Sequence, residues 1–108
     1  EPDMKVKENG SNTALNMACR GGHLDIAVFL LERLADPNSR NDMAETPLMC
    51  AANRARGDVC RLLLKWAADV HAVDENGDNA LDFLGVGNSE RKKDCGDVLR
   101  QAGCRTQR

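Results

Sequence analysis

The chain is 108 residues long, which fits a single domain. Hydrophobic residues make up 42 %, too many for a disordered segment, while aromatics are only 3 %, so the core must be aliphatic and built from small side chains. Fifteen basic against 17 acidic residues leave a net charge of −2, which excludes the electrostatic footprint of a nucleic-acid binder or of a protein held on an anionic membrane.

In chain order, residues 1–10 read as the tail of a preceding or degenerate unit. Asp3, Asp36 and Asp69 recur every 33 residues, and Met4 falls in register with Val70. The first residue is Glu1 rather than Met, which points to a fragment or a processed chain. A polar turn, Glu8-Asn9-Gly10-Ser11-Asn12, leads into Thr13. Thr13 is placed to cap a helix by accepting from a free amide in its first turn. Leu15, Ala18 and Cys19 follow at helical spacing. Gly21-Gly22 signals a turn, and a second apolar run holds Ile26, Ala27, Phe29, Leu30 and Leu31. This spacing predicts two short helices joined by a tight turn.

The pattern returns 33 residues later. Thr46 matches Thr13, Leu48 matches Leu15, Ala51 matches Ala18, Asp58 matches Asp25, and Leu63-Leu64 match Leu30-Leu31. Pro47 suits the first helical position, where its missing N–H costs nothing. Gly57 sits near the point matching the first turn, and Val59, Cys60 and Leu62 continue the second apolar run. The polar turn recurs as Asn41 to Glu45 and as Asp74 to Asp78. A fixed period of this size marks stacked repeats, each too small to bury its own apolar faces.

A third unit opens in register with Asn79-Ala80-Leu81-Asp82-Phe83-Leu84 and turns through Gly85-Val86-Gly87-Asn88-Ser89. A second helix is expected from Glu90 to Ala102. Cys95, Leu99 and Gly103 align with Val59, Leu63 and Ala67 at 36 residues rather than 33, which implies a short insertion. Arg91, Lys92 and Lys93 make this helix polar, as the end of a stack requires.

The unit resembles the ankyrin repeat. Thr46-Pro47-Leu48, Ala51-Ala52, Gly22-His23, Leu62-Leu63-Leu64 and Ala68-Asp69-Val70 carry the resemblance, which covers nearly the whole chain. It implies an all-α solenoid with short β-hairpin loops, about three stacked antiparallel helix pairs. The expected repeats are 11–43, 44–76 and 77–108, the last a C-terminal cap with the insertion. Ser11 and Ala44 replace the Gly that the family places two residues before the Thr, kept here as Gly77, so altered turns are expected in the first two hairpins. Leu34 and Ala67 replace the Gly that follows the second helix, kept as Gly103. A side chain there costs roughly 1–2 kcal/mol if the backbone is left-handed. Either that strain is tolerated or these helices end differently.

Five cysteines, Cys19, Cys50, Cys60, Cys95 and Cys104, form no Cys-x-x-Cys pair. They read as small buried hydrophobes in a reducing compartment, the cytosol or nucleus, with neither a metal nor a disulfide role. Cys19 and His23 stand at i, i+4, a spacing that suits a nucleophile and its base. No orienting third group or oxyanion donor accompanies them. On the family's pattern His23 makes structural hydrogen bonds in the Gly-His turn, and Cys19 packs inside. His71 replaces the Asn of the family's ending, which Asn38 keeps; both are expected to tie down the loop. No catalytic residue, cofactor or metal site is expected. No run approaches the roughly 20 apolar residues of a membrane span, and no signal peptide is recognisable.

Function is therefore expected on the surface. The resemblance implies a protein-binding module that uses the hairpin tips and the exposed side of the first helices. The tips offer Asn9 and Asn12, then Asp42, Met43 and Glu45, then Glu75, Asn76 and Asp78. The first helices offer Arg20, Asn53 and Arg54, and Arg33 and Trp66 hold variable places before the second-helix ends. A monomer binding a polar or charged protein segment, with no nucleic acid and no membrane, is the expected mode. The alternative is the non-catalytic, substrate-recruiting or regulatory arm of a larger enzyme.

Overall fold

The computed structural model describes residues 13–85 and 88–106. The proposed tail 1–10, Ser11 and the first hairpin tip, with Asn9 and Asn12, lie outside the described residues. Within them five helices follow in order: α1 (Ala14–Gly21), α2 (Leu24–Glu32), α3 (Pro47–Asn53), α4 (Gly57–Lys65) and α5 (Ser89–Gln101).

The caps form as the residue types dictate. Thr13 Oγ1 accepts from Asn16 N at 3.0 Å and opens α1. Thr46 Oγ1 accepts from Met49 N at 3.3 Å, Met49 Sδ accepts in return from Thr46 N at 3.4 Å, and Pro47 fills the first position of α3. Asn88 Oδ1 accepts from Arg91 N at 2.8 Å and opens α5.

Left-handed residues end the helices at matching places. Leu34 (φ 70°), Ala67 (φ 66°) and Gly103 (φ 93°) follow the second helices. Beyond each, the next amide reaches back to a carbonyl: Ala35 N to Leu30 O, Ala68 N to Leu63 O and Cys104 N to Leu99 O, all at 3.0 Å. The strain is thus tolerated, and the helices end in a left-handed residue, the first of the two expected outcomes. In the turn between paired helices Gly22 (φ 74°) is matched by Ala55 (φ 54°), not by Gly57. Gly57 instead opens α4, where a Cβ would collide with Oδ2 of Asp94.

The hairpin expectation needs correction. Ala44 takes φ 62° just as Gly77 takes 82°, and Ala44 N donates to Asn41 O (3.0 Å) as Gly77 N does to Asp74 O (3.0 Å). The turn is unaltered because the bonds around it hold the alanine left-handed. Among the described residues these loops close as tight turns and form no strand. The third unit departs further: residues 80–83 make a turn, not a helix. Its opening is still capped, with Asn79 Oδ1 accepting from Asp82 N (3.1 Å) and Asp82 Oδ2 accepting from Asn79 N (3.0 Å).

The helices pack in two rows. α1 lies against α3, while α4 lies between α2 and α5. Leu15, Ala18, Cys19, Leu48, Ala51 and Ala52 fill the first row, and Ala27, Leu31, Cys60, Leu63, Cys95 and Leu99 fill the second. Alanine and cysteine let the rows approach closely, and their burial supplies the hydrophobic driving force. Val59 is fully buried, whereas its counterpart Ile26 is 50 % exposed. The cause is position: α4 has a helix on both sides, and among the described residues α2 has one on only one side.

Candidate functional site

Among the described residues, two hairpin tips are each built by one Asx side chain. Asn41 Oδ1 accepts from Met43 N (2.9 Å) and Glu45 N (3.0 Å). Asp74 Oδ1 accepts from Asn76 N and Asp78 N, both at 2.9 Å. The two tips are joined by Glu75 N donating to Met43 O at 3.2 Å. Further bonds tie the loops one repeat apart: Arg40 Nη1 donates to Val73 O (2.9 Å), and Asn38 Oδ1 accepts from Asp69 N (2.7 Å). The result is a fixed row of tips. Asp42, Met43, Glu75 and Asn76 are exposed on it, and Asp78 is half-buried.

The first helices meet this row through an ion pair. Arg20 Nη2 lies 3.4 Å from Glu45 Oε1 and 3.6 Å from Cys50 Sγ. Glu45 also accepts from Asn41 Nδ2 at 2.8 Å, and its side chain is only 12 % exposed. Glu45 therefore serves the hairpin from within, and its charge is met by Arg20. Arg20 keeps one face to solvent, as does Met17 one turn earlier on the same side of α1. Sequence reasoning passed over Met17; its offset from the apolar positions Leu15 and Ala18 is the signal that marks it as outward.

The remaining residues are placed apart. Asn53 is half-buried beside Gly85, so the third unit covers part of it. Arg54 is exposed, and its carbonyl accepts from Arg91 Nη2 at 2.8 Å. Arg33 and Trp66 cap α2 and α4, on the row of second helices rather than the first. Arg33 lies over the Phe29 ring, 3.7 Å from its centroid, and Trp66 is 38 % exposed. Phe29 and Ile26 are exposed where the period alone would bury them.

The Cys19–His23 spacing does not make a nucleophile and its base. Cys19 is fully buried, and burial pushes its thiol up, away from the reactive thiolate, while His23 is exposed. Burial likewise pushes the Cys50 thiol up to about 11, against the lowering effect of Arg20. Among the described residues no group of three or more His, Cys, Asp or Glu side chains is placed to hold a metal ion. Among the same residues no helix is long and apolar enough to cross a membrane.

Comparison with known proteins agrees with this architecture. The family model for ankyrin repeats, three copies, matches residues 1–74. The chain is 40 % identical over 74 residues to ankyrin repeat and KH domain-containing protein mask of Drosophila melanogaster, covering 68 % of this chain and 2 % of that protein. It is 41 % identical over 76 residues to human ankyrin repeat and KH domain-containing protein 1, covering 68 % and 3 %. It is 40 % identical over 75 residues to "Probable E3 ubiquitin-protein ligase XBOS33" of Oryza sativa subsp. japonica, covering 68 % and 14 %. The match thus spans a small part of the length of each relative.

Proposed function

This chain belongs to the ankyrin repeat family, and we propose that it binds a partner protein or peptide through its hairpin tips and the outward face of its first helices. The observation that carries the reading is the fixed row of tips. Asn41 and Asp74 hold the tip backbones, and the Glu75–Met43 bond fixes one tip against the next. Binding to such a preorganised surface loses little conformational entropy. The exposed side chains combine two acids, Asp42 and Glu75, two methionines, Met17 and Met43, and the half-exposed Arg20. That mixture suits a segment with both charged and apolar side chains. Arg54, Arg33 and Trp66 extend the candidate surface, the last two onto the neighbouring row.

The test is affinity capture from an extract of the source cells with the chain as bait. A partner retained by the native chain should be lost by the Met43→Ala/Arg20→Ala double variant with its circular dichroism spectrum unchanged. Equal retention by both would overturn the proposed surface. The chain acts as a monomer in this reading, which sedimentation velocity checks.

A second reading is favoured by one relative, whose name describes a ubiquitin ligase far longer than the matched region. On that reading the repeats are the non-catalytic, substrate-recruiting arm of a larger enzyme. The full reading frame decides between the two. A reducing compartment, cytosol or nucleus, suits five free thiols.

A further inference from the structure

Cys60 on α4 and Cys95 on α5 face each other across the joint between the last two helices of the second row. Their sulfur atoms lie 3.6 Å apart, and neither residue is exposed. The two thiols are 35 residues apart in sequence, so no local motif announces the pair. α5 is the terminal helix of its row among the described residues and packs on α4. Its outer face is polar, and its ion pairs, Arg61–Asp94, Lys93–Asp97 and Arg100–Asp97, are all solvent-exposed. A helix whose ion pairs all lie in solvent opens more readily than the packed interior of the stack.

We propose that Cys60 and Cys95 form a reversible disulfide when the chain meets a hydroperoxide, locking α5 onto α4. Opening of α5 exposes both thiols. One thiolate attacks the terminal oxygen of hydrogen peroxide. The O–O bond breaks, a sulfenic acid forms, and the departing hydroxide takes up a proton to become water. The second thiolate attacks the sulfenic sulfur, the S–S bond forms, and the second hydroxide leaves as water. Two thiols have lost two electrons and two protons, and the peroxide has accepted them. Forming the bond closes the sulfur–sulfur distance from 3.6 Å to about 2.05 Å. Cys19, Cys50 and Cys104 are equally buried, and Cys50 and Cys104 are engaged elsewhere, with Arg20 and with the carbonyl of Val70. They serve as internal controls.

The test treats the reduced chain with hydrogen peroxide, alkylates remaining thiols, and maps disulfides by mass spectrometry without reduction. The expected result is a dominant Cys60–Cys95 cross-link, removed by dithiothreitol. The cross-linked chain should melt higher by a shift on the order of 10 °C, with amide exchange in α5 slowed at least about 10-fold. Cys60→Ala and Cys95→Ala, which keep the site apolar, should abolish the cross-link and the shift, while Cys104→Ser should keep both. Cross-links distributed among other cysteines, over-oxidation without a cross-link, or a cross-linked form with a lower melting temperature would each overturn the proposal.

Discussion

Asn41 and Asp74 stand one repeat apart and fold their hairpins by the same set of bonds. Each side-chain oxygen accepts from the amides two and four residues on, at 2.9–3.0 Å. Each backbone amide donates to the carbonyl four residues on, at 3.1 Å for Asn41 and 2.9 Å for Asp74. One side chain is a neutral amide and the other a carboxylate, so the fold needs the oxygen and not the charge. Asp74→Asn should therefore change stability by less than about 0.5 kcal/mol. Asn41→Ala and Asp74→Ala should each cost about 1–3 kcal/mol, because tip amides lose their acceptor. Urea midpoints of the three variants check this.

Leu34 is 77 % exposed and holds φ 70°, so its side chain contributes strain and little packing. Leu34→Gly and Ala67→Gly are each expected to stabilise by about 0.5–1 kcal/mol, the gain from relaxed backbone exceeding the entropy that glycine adds to the unfolded chain. Ala44→Gly should behave alike, since Gly77 already serves that place. Gly103→Ala should move the other way. Lower midpoints for the three glycine variants would show that these residues are not strained.

The Cys50 thiol is raised from 9.0 to about 11, chiefly by burial. Its folded value lies above its unfolded one, so its contribution is complete below pH 9 and is lost as pH rises toward 11. About 2–3 kcal/mol should disappear across that window, equal to two pH units of differential proton binding. Burial raises Cys19 as well, so it adds to the loss. The chain has no Tyr to confuse the reading. Unfolding midpoints between pH 7 and 11 should fall above pH 9, and Cys50→Ala should flatten part of the slope. An unchanged slope in that variant would remove Cys50 as a cause.

Trp66 caps α4 with 38 % of its surface exposed. Tryptophan at such a place carries much contact area at low rotamer cost. Trp66→Ala should weaken partner affinity about 10-fold or more while costing under about 1 kcal/mol of stability. Two readouts are needed, a titration with the captured partner and a melting curve. A drop of several degrees with affinity intact would assign Trp66 to packing over the joint with the third unit.

Much of the fold was legible because a repeat writes its local rules twice. Thr13 and Thr46 cap helices by bonds within three residues, and Leu15 and Leu48 keep helical spacing from their neighbours. The caps and the helical spacing depend on sequence-near groups, and those travel with the segment. The sequence marked the places after the second helices, with Gly103 in one of them, but left two endings open for Leu34 and Ala67, and only the structure shows both to be left-handed.

What the tertiary structure decided depends on neighbours brought from afar. Glu45 looks like a tip residue, yet Arg20 from the preceding unit and Asn41 draw it inward. Ala44 looks like a disrupted turn, yet the Asn41 bonds and the Glu75–Met43 link on the adjoining residue hold it left-handed. Residues 79–84 keep the capping pattern of a helix but make only a turn, followed by a longer loop to α5. Ile26 and Val59 share one place in the period and differ in burial, because a period fixes which face a residue turns outward but not what stands against it. Cys60 and Cys95 meet for the same reason: their contact belongs to the stacking of α5 on α4, which no spacing within either helix encodes.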